Sequence, residues 1–205
     1  MNVSPRHPLR FEVRLPAWLK PFLADWDAPL HDVHGRMALA VALADENVRR
    51  NTGGPFGAIV VAEDGDRLLG AGVNLVTAAG LSLAHAEIIA LSLAQAAVGG
   101  WNLGAAGGVQ LVTSCEPCAM CYGAVPWSGV TALAWGAHRE DAERAGFDEG
   151  EKPEDWATAL ERRGITVTGG VMRLEAAAVL QRYTHRAGAI YSPSRETDPE
   201  AVEGD

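Results

Sequence analysis

No uncharged apolar run in the chain approaches the roughly 18 residues that a membrane-spanning helix needs. The first fifteen residues lack the apolar core of a secretory signal, and prolines and charges stand there instead. Cysteine is scarce, with three in 205 residues. An odd number, crowded between Cys115 and Cys121, makes a poor disulfide framework and points to metal or thiol chemistry in a reducing compartment. Basic charge is short as well: 17 Lys and Arg against 26 Asp and Glu leave a net charge of -9. That balance repels polyanions and argues against a surface that tracks phosphates. No internal repeat is visible. Together these absences predict a cytoplasmic protein with a small ligand, and no nucleic acid or membrane among its partners.

What is present describes a globular chain, because 48% of residues are apolar and only 21% charged. Its length suits one α/β domain with a sizeable core. Residues 1–30 hold five prolines alongside Phe11, Trp18, Phe22 and Trp26, which predicts an arm that packs on the body without a long helix. From Asp32, Met37, Ala40, Val41, Ala44 and Val48 recur at helical spacing until Gly53-Gly54-Pro55 ends the helix. Ala58 to Val61 reads as a strand, Asp64-Gly65 as a hairpin turn, and Leu68 to Asn74 as the antiparallel return.

A strongly apolar helix follows from Ala84 to about Val98, then a buried strand from Val109 to Thr113. Pro117 suits the first position of another helix, where its missing N–H goes unneeded. Further strands are expected at 131–137 and 165–168, with helices near 153–163 and from Val171. The acidic tail, 192–205, is expected to be mobile. This order predicts a three-layer α/β/α sandwich on a mixed sheet of about five strands, spanning residues 31–191.

Within that frame one constellation carries chemistry. His85-Ala86-Glu87 is followed by Pro117-Cys118-Ala119-Met120-Cys121. His85, Cys118 and Cys121 supply three zinc ligands, and three protein ligands leave a tetrahedral position for water. Cys118 and Cys121, three apart, share one face of a helix. Glu87 stands beside the metal without needing to bind it, as a proton shuttle would. Helix N-termini at both segments would favour thiolate and a more acidic water. A pattern of H-x-E followed by P-C-x-x-C marks zinc-dependent nucleobase deaminases. Two blander readings stay open at this point. Cys115 could close the zinc site, or the three cysteines could hold corners of an iron–sulfur cluster that needs an outside ligand.

Taken with Gly53-Gly54-Pro55-Phe56-Gly57-Ala58, Thr113-Ser114-Cys115-Glu116-Pro117, Ala145 to Gly150, Trp127-Ser128-Gly129-Val130 and Gly188-Ala189-Ile190-Tyr191, the constellation resembles the cytidine-deaminase superfamily, and within it the bacterial guanine-deaminase branch. The resemblance implies one Zn²⁺ per subunit, a homodimer, and hydrolysis of guanine to xanthine and ammonia. Another amino-heterocycle (a triazine, a pterin, cytosine or guanosine) is the alternative, with adenosine in tRNA behind it.

The resemblance also implies substrate contacts. Phe56 would stack on the purine, and Asn74 would offer its amide to a ring edge. Trp127 would border the pocket, Glu149 would accept N–H bonds from guanine with Asp148 as competitor, and Tyr191 would cap the ligand or anchor the tail.

Overall fold

The side chain of Asp32 opens the first long helix by accepting a hydrogen bond from the Gly35 backbone N–H at 2.7 Å. The computed structural model describes residues 10–63 and 67–191. Along these the elements are α1 (Leu19–Ala24), α2 (Val33–Arg49), β1 (Gly57–Ala62), β2 (Arg67–Val73), α3 (Val76–Ala79), α4 (Ala86–Val98), a 3-10 turn (Leu103–Ala106), β3 (Val109–Cys115), α5 (Ala119–Ser128), β4 (Ala132–Ala137), α6 (Arg139–Arg144), α7 (Trp156–Glu161), β5 (Thr166–Thr168) and α8 (Arg173–His185). The sheet order is β2-β1-β3-β4-β5. β1 runs antiparallel to β2 and β3, and β3, β4 and β5 are parallel to one another. This is the mixed five-stranded sandwich that the sequence implies.

Every residue of β1, β3 and β4 is buried, which a sheet covered on both faces requires. Ile59, Val61 and Val112 pack with Met37, Leu39, Ala40 and Leu43 of α2. Ala58, Val60, Leu111 and Leu133 turn the other way, against Ala86, Ala90 and Ala94 of α4 and Val125 of α5. Two glycines of β2 set how near α4 lies. A Cβ at Gly70 would stand 2.3 Å from the Ala90 carbonyl oxygen, and one at Gly72 only 2.2 Å from that of Ala86. The sheet therefore accepts the helix backbone directly, and the start of α4 is held at the end of β2.

Several boundaries differ from the sequence reading. α2 stops at Arg49, and Asn51 reverses the chain with φ 55° ahead of the glycines. α4 begins at Ala86, with His85 as its N-cap. Pro117 is not the first residue of α5. It precedes the N-cap, Cys118, so its fixed φ delivers the cysteine to the helix end. α7 is only six residues long, from Trp156, because Pro153 lies before it in a turn. α3 and α6 were not foreseen, being too short to show a period. α6 closes a capping box, in which Asp141 accepts from the His138 N–H at 2.8 Å.

The arm carries α1, whose Leu19 is buried in the α2 core together with Trp18. The hairpin turn expected at Asp64-Gly65 and the tail at 192–205 lie outside the described residues.

Candidate active site

The register brings four strand ends to one edge of the sheet. Gly57 at the start of β1 pairs with Val73 at the end of β2, and Ala58 pairs with Thr113 near the end of β3. Cys115 at the end of β3 pairs with Ala137 at the end of β4. Phe56, Asn74, Glu116 and His138, the residues just beyond these ends, thus share a neighbourhood, and α4 and α5 start there too. An irregular rim at the ends of strands is where α/β folds place ligands.

His85 caps α4 and Glu87 stands in its first turn. Cys118 caps α5 and Cys121 lies one turn in. Both helix N-termini therefore face the same point. His85 Nδ1 is 3.6 Å from the Cys118 sulfur and 3.5 Å from that of Cys121. A tetrahedral zinc with bonds of about 2.3 Å to sulfur and about 2.0–2.1 Å to nitrogen separates such atoms by roughly 3.6 Å. The three donors fit that ion in kind and in spacing, and all their ligand atoms lie within 4.8 Å of one another.

Cys115 is not among them. It is buried at the end of β3, its sulfur turned to the His138 carbonyl at 3.9 Å. The closed four-ligand site and the three-cysteine cluster are therefore both excluded by geometry.

The electrostatics follow from crowding. A hydrogen bond from the Cys121 thiol outweighs burial and, with His85 beside it, brings Cys118 down to about 4, so that it is a thiolate at neutral pH. The same bond, with burial, pushes Cys121 well above the usual thiol range. Burial opposes a charge on His85, but the bond with Cys118 and the charge of Glu87 prevail and move it upward. Burial also raises the carboxyl of Glu87, with the Cys118 charge adding to it. Glu149 rises to about 8 through burial and the negative charges of Cys118 and Glu87. A divalent cation in this cluster would lower all of them, against the upward shifts of Cys121, His85, Glu87 and Glu149 and in line with the downward one of Cys118.

One cavity of about 30 Å³, the room of a single water, is lined by Phe56, His85, Glu87, Cys118, Glu149 and Tyr191, together with Glu116, Phe147 and Asp148. Of the residues proposed from the sequence, six therefore meet. Cys121 completes the metal cluster next to them. Asn74 is buried one layer back, and its amide donates to the Tyr191 hydroxyl at 2.6 Å.

Trp127 does not border the cavity in this chain. It is 81% exposed on the outer face of α5, because seven residues of helix carry it away from Met120 and the metal end. The two acidic competitors, which both line the cavity, differ in burial. Glu149 is buried in the cavity, whereas the Asp148 carboxylate accepts the Gly150 N–H at 2.8 Å and shapes the turn. The sequence reading passed over Phe147, 3% exposed, whose ring meets those of Phe56 at 4.9 Å and Tyr191 at 5.6 Å. Its place inside the Gly146–Gly150 loop was the available signal. Glu116, which also lines the cavity, was quoted only as part of a motif.

The family model of the cytidine and deoxycytidylate deaminase zinc-binding region matches residues 31–137. The chain belongs to that family. This deaminase is 43% identical to guanine deaminase from Bacillus subtilis over 110 residues, which are 54% of this chain and 67% of that protein. The solved structure of guanine deaminase from Nitrosomonas europaea is 43% identical, with a TM-score of 0.80, covering 86% of this chain and 97% of that one. A tRNA-specific adenosine deaminase from Buchnera aphidicola is 31% identical over 129 residues, covering 63% of this chain and 79% of that protein. The deaminase is thus a zinc hydrolase acting on the C–N bonds of cyclic amidines, with His85, Cys118 and Cys121 placed to hold the ion.

Proposed function

We propose that this deaminase converts guanine and water to xanthine and ammonia. The observation that carries the reading is Glu87 and Glu149, two buried carboxylates that share one cavity with the metal ligands, while the third buried carboxylate there, Glu116, is taken up by Lys152. Both guanine deaminases are also more similar to it than the tRNA enzyme, and a net charge of -9 disfavours a tRNA surface.

Zinc, when bound, acidifies a water toward a pKa of about 7. Everything else falls to the chain. Glu87 accepts one proton from the attacking water and hands it to a ring nitrogen, then takes the second from the hydroxyl now on the attacked carbon and gives it to the amine, which departs as ammonia while the carbonyl forms. Burial beside the cluster raises its carboxyl in the metal-free fold, and its place next to the ligands puts it within reach of a metal-bound water. Phe56, held edge-on by Phe147, offers a face to the purine. Glu149 accepts N–H bonds from the guanine edge, and those donors favour its charged form, offsetting the burial that otherwise raises it to about 8. Tyr191 lines the cavity and is held by Asn74, which sets its hydroxyl where it can cap the base.

An ammonia-release screen over guanine, guanosine, cytosine, cytidine, adenine, ammeline, pterins and a tRNA anticodon stem tests this. Guanine should be turned over fastest, with one xanthine per ammonia. Guanine left intact while another base reacts would sink the assignment. Glu149→Gln should lower guanine kcat/KM by about 10²-fold or more, since a site built to bond N–H groups suffers when an acceptor goes. Its melting temperature should hold or rise, because the replaced carboxyl is one that burial disfavours when charged.

The same reading takes the molecule as a cytoplasmic homodimer with residues 31–191 as its catalytic unit. Its three free cysteines suit a reducing compartment. Among the described residues no helix is long and apolar enough to cross a membrane. α5 carries no charged side chain, and Met120, Gly123 and Trp127 form an outward stripe at i, i+3 and i+7. Covering that stripe with a second copy gives Trp127 a subunit contact in place of the pocket role expected from sequence. Trp127→Glu should convert the dimer to monomer in sedimentation, and a wild-type protein that sediments as monomer would remove the proposal.

A further inference from the structure

The chain has only two lysines, Lys20 and Lys152, and the second is folded into the protein with its side chain 2% exposed. Its ammonium donates to Glu116 Oε1 and to the Pro117 carbonyl, both at 2.6 Å. The ring of Trp156 lies 4.5 Å away on a further side. An ammonium is expensive to bury, and a cage of carboxylate, carbonyl and aromatic face is what makes it tolerable. Glu116 lines the catalytic cavity, but its oxygens are taken by Lys152 and the Arg139 N–H, and neither it nor Pro117 nor Trp156 is a metal ligand or a proposed substrate contact, so the deamination chemistry does not itself account for the cage.

The location does. Pro117 and Glu116 are the last two residues before the N-cap ligand Cys118. Lys152 follows Glu149 by three positions, and the Ala119 N–H donates to the Glu149 carbonyl at 2.9 Å. Three hydrogen bonds therefore join segment 149–152 to segment 116–119, two of them made by one side chain. Glu116 is fixed in turn from the far side, its other oxygen accepting the Arg139 N–H at 3.3 Å.

We infer that Lys152 is a positioning residue for deamination: it ties the loop carrying Glu149 to the entry of the metal-binding helix, and so sets where that carboxylate stands relative to the attacked carbon. The inference rests on Glu149 as the base-reading residue. It assigns a specificity role to a side chain that touches neither substrate nor metal. Misplacing a contact by about 1 Å can cost about 10²-fold in rate, so such a tie has consequences well beyond its own hydrogen bonds.

A double-mutant cycle on zinc-loaded protein tests it, with Lys152→Met, Glu149→Gln and the pair. Dissociation constants for 8-azaguanine, a non-physiological guanine analogue, are read beside kcat and KM. Lys152→Met should keep one zinc per chain, weaken analogue binding about tenfold, and lower kcat/KM by about 10–10²-fold. The double variant should fall within about threefold of Glu149→Gln alone, since an arm that no longer grips loses nothing when its support goes.

Penalties that multiply, binding within twofold of wild type, or activity lost only in step with zinc would each overturn the inference. Lys152→Gln, which can still bond the Pro117 carbonyl, replaces Lys152→Met if the latter does not fold. Wild-type protein inert on guanine would instead sink the guanine assignment, and the cycle is then run on whichever base of the screen is turned over.

Discussion

Replacing Glu87 by Gln leaves zinc in place and lowers kcat by about 10²–10⁴-fold, the range that a positioned general acid–base contributes. The expectation is this specific because the side chain sits beside the metal cluster without joining it. Gln keeps the volume and a carbonyl oxygen but neither takes nor gives a proton. Stability should not fall. Burial raises the Glu87 carboxyl above its ordinary value, so the charged form costs the metal-free fold free energy. A neutral amide removes that cost, and the metal-free melting temperature should hold or rise. Metal analysis, calorimetry and single-turnover ammonia release together check this. A variant that retains zinc and most of its rate would remove Glu87 from the proton path.

Cys121→Ala should abolish both zinc retention and turnover, because one sulfur and one imidazole hold the ion far less firmly than the complete set. Chelation of wild-type protein should reproduce the loss and lower the melting temperature, since an ion bound only by the native state stabilises it by mass action. Cys121→Ala should show no such response to added zinc.

Acid should weaken the site. In the metal-free fold Cys121 keeps its proton well above the usual thiol range, and His85 is shifted upward. Zinc must displace those protons, so its affinity falls as pH drops, roughly tenfold per unit for each proton displaced. Cys118 adds little to that slope above its pKa of about 4, being already a thiolate. Competition titrations against a chelator of known affinity, run from pH 6 to pH 8, measure the effect; affinity that rises on acidification would contradict this ligand set.

The chemical identity of the centre was legible in the one-dimensional pattern. Spacing alone put the Cys118 and Cys121 sulfurs on one helical face, and the two-residue step from His85 to Glu87 makes sense only at a helix start, where side chains can project past the end. His85 as the N-cap of α4 is that arrangement. The buried strands were equally readable, because period and apolar runs are local properties.

Beyond the metal motif, the chain pattern could not provide what depends on two distant segments meeting. Trp127 and Phe147 show this from opposite sides. A tryptophan six residues beyond a metal ligand invites a pocket role, yet helical rise and phase turn it outward, while Phe147 from a separate loop arrives against Phe56. Glu149 and Asp148 are indistinguishable as neighbouring acids, and only the turn at Gly150 decides which one is buried.

Sequence by itself determined the metal-ligand motifs and the order of helices and strands, because each motif and each element is a local pattern. Tertiary structure alone decided the walls of the cavity, the exclusion of Cys115 and the grip of Lys152. Those depend on how the sheet register and the glycine-lined approach of α4 bring remote strand ends within a few ångströms of one another.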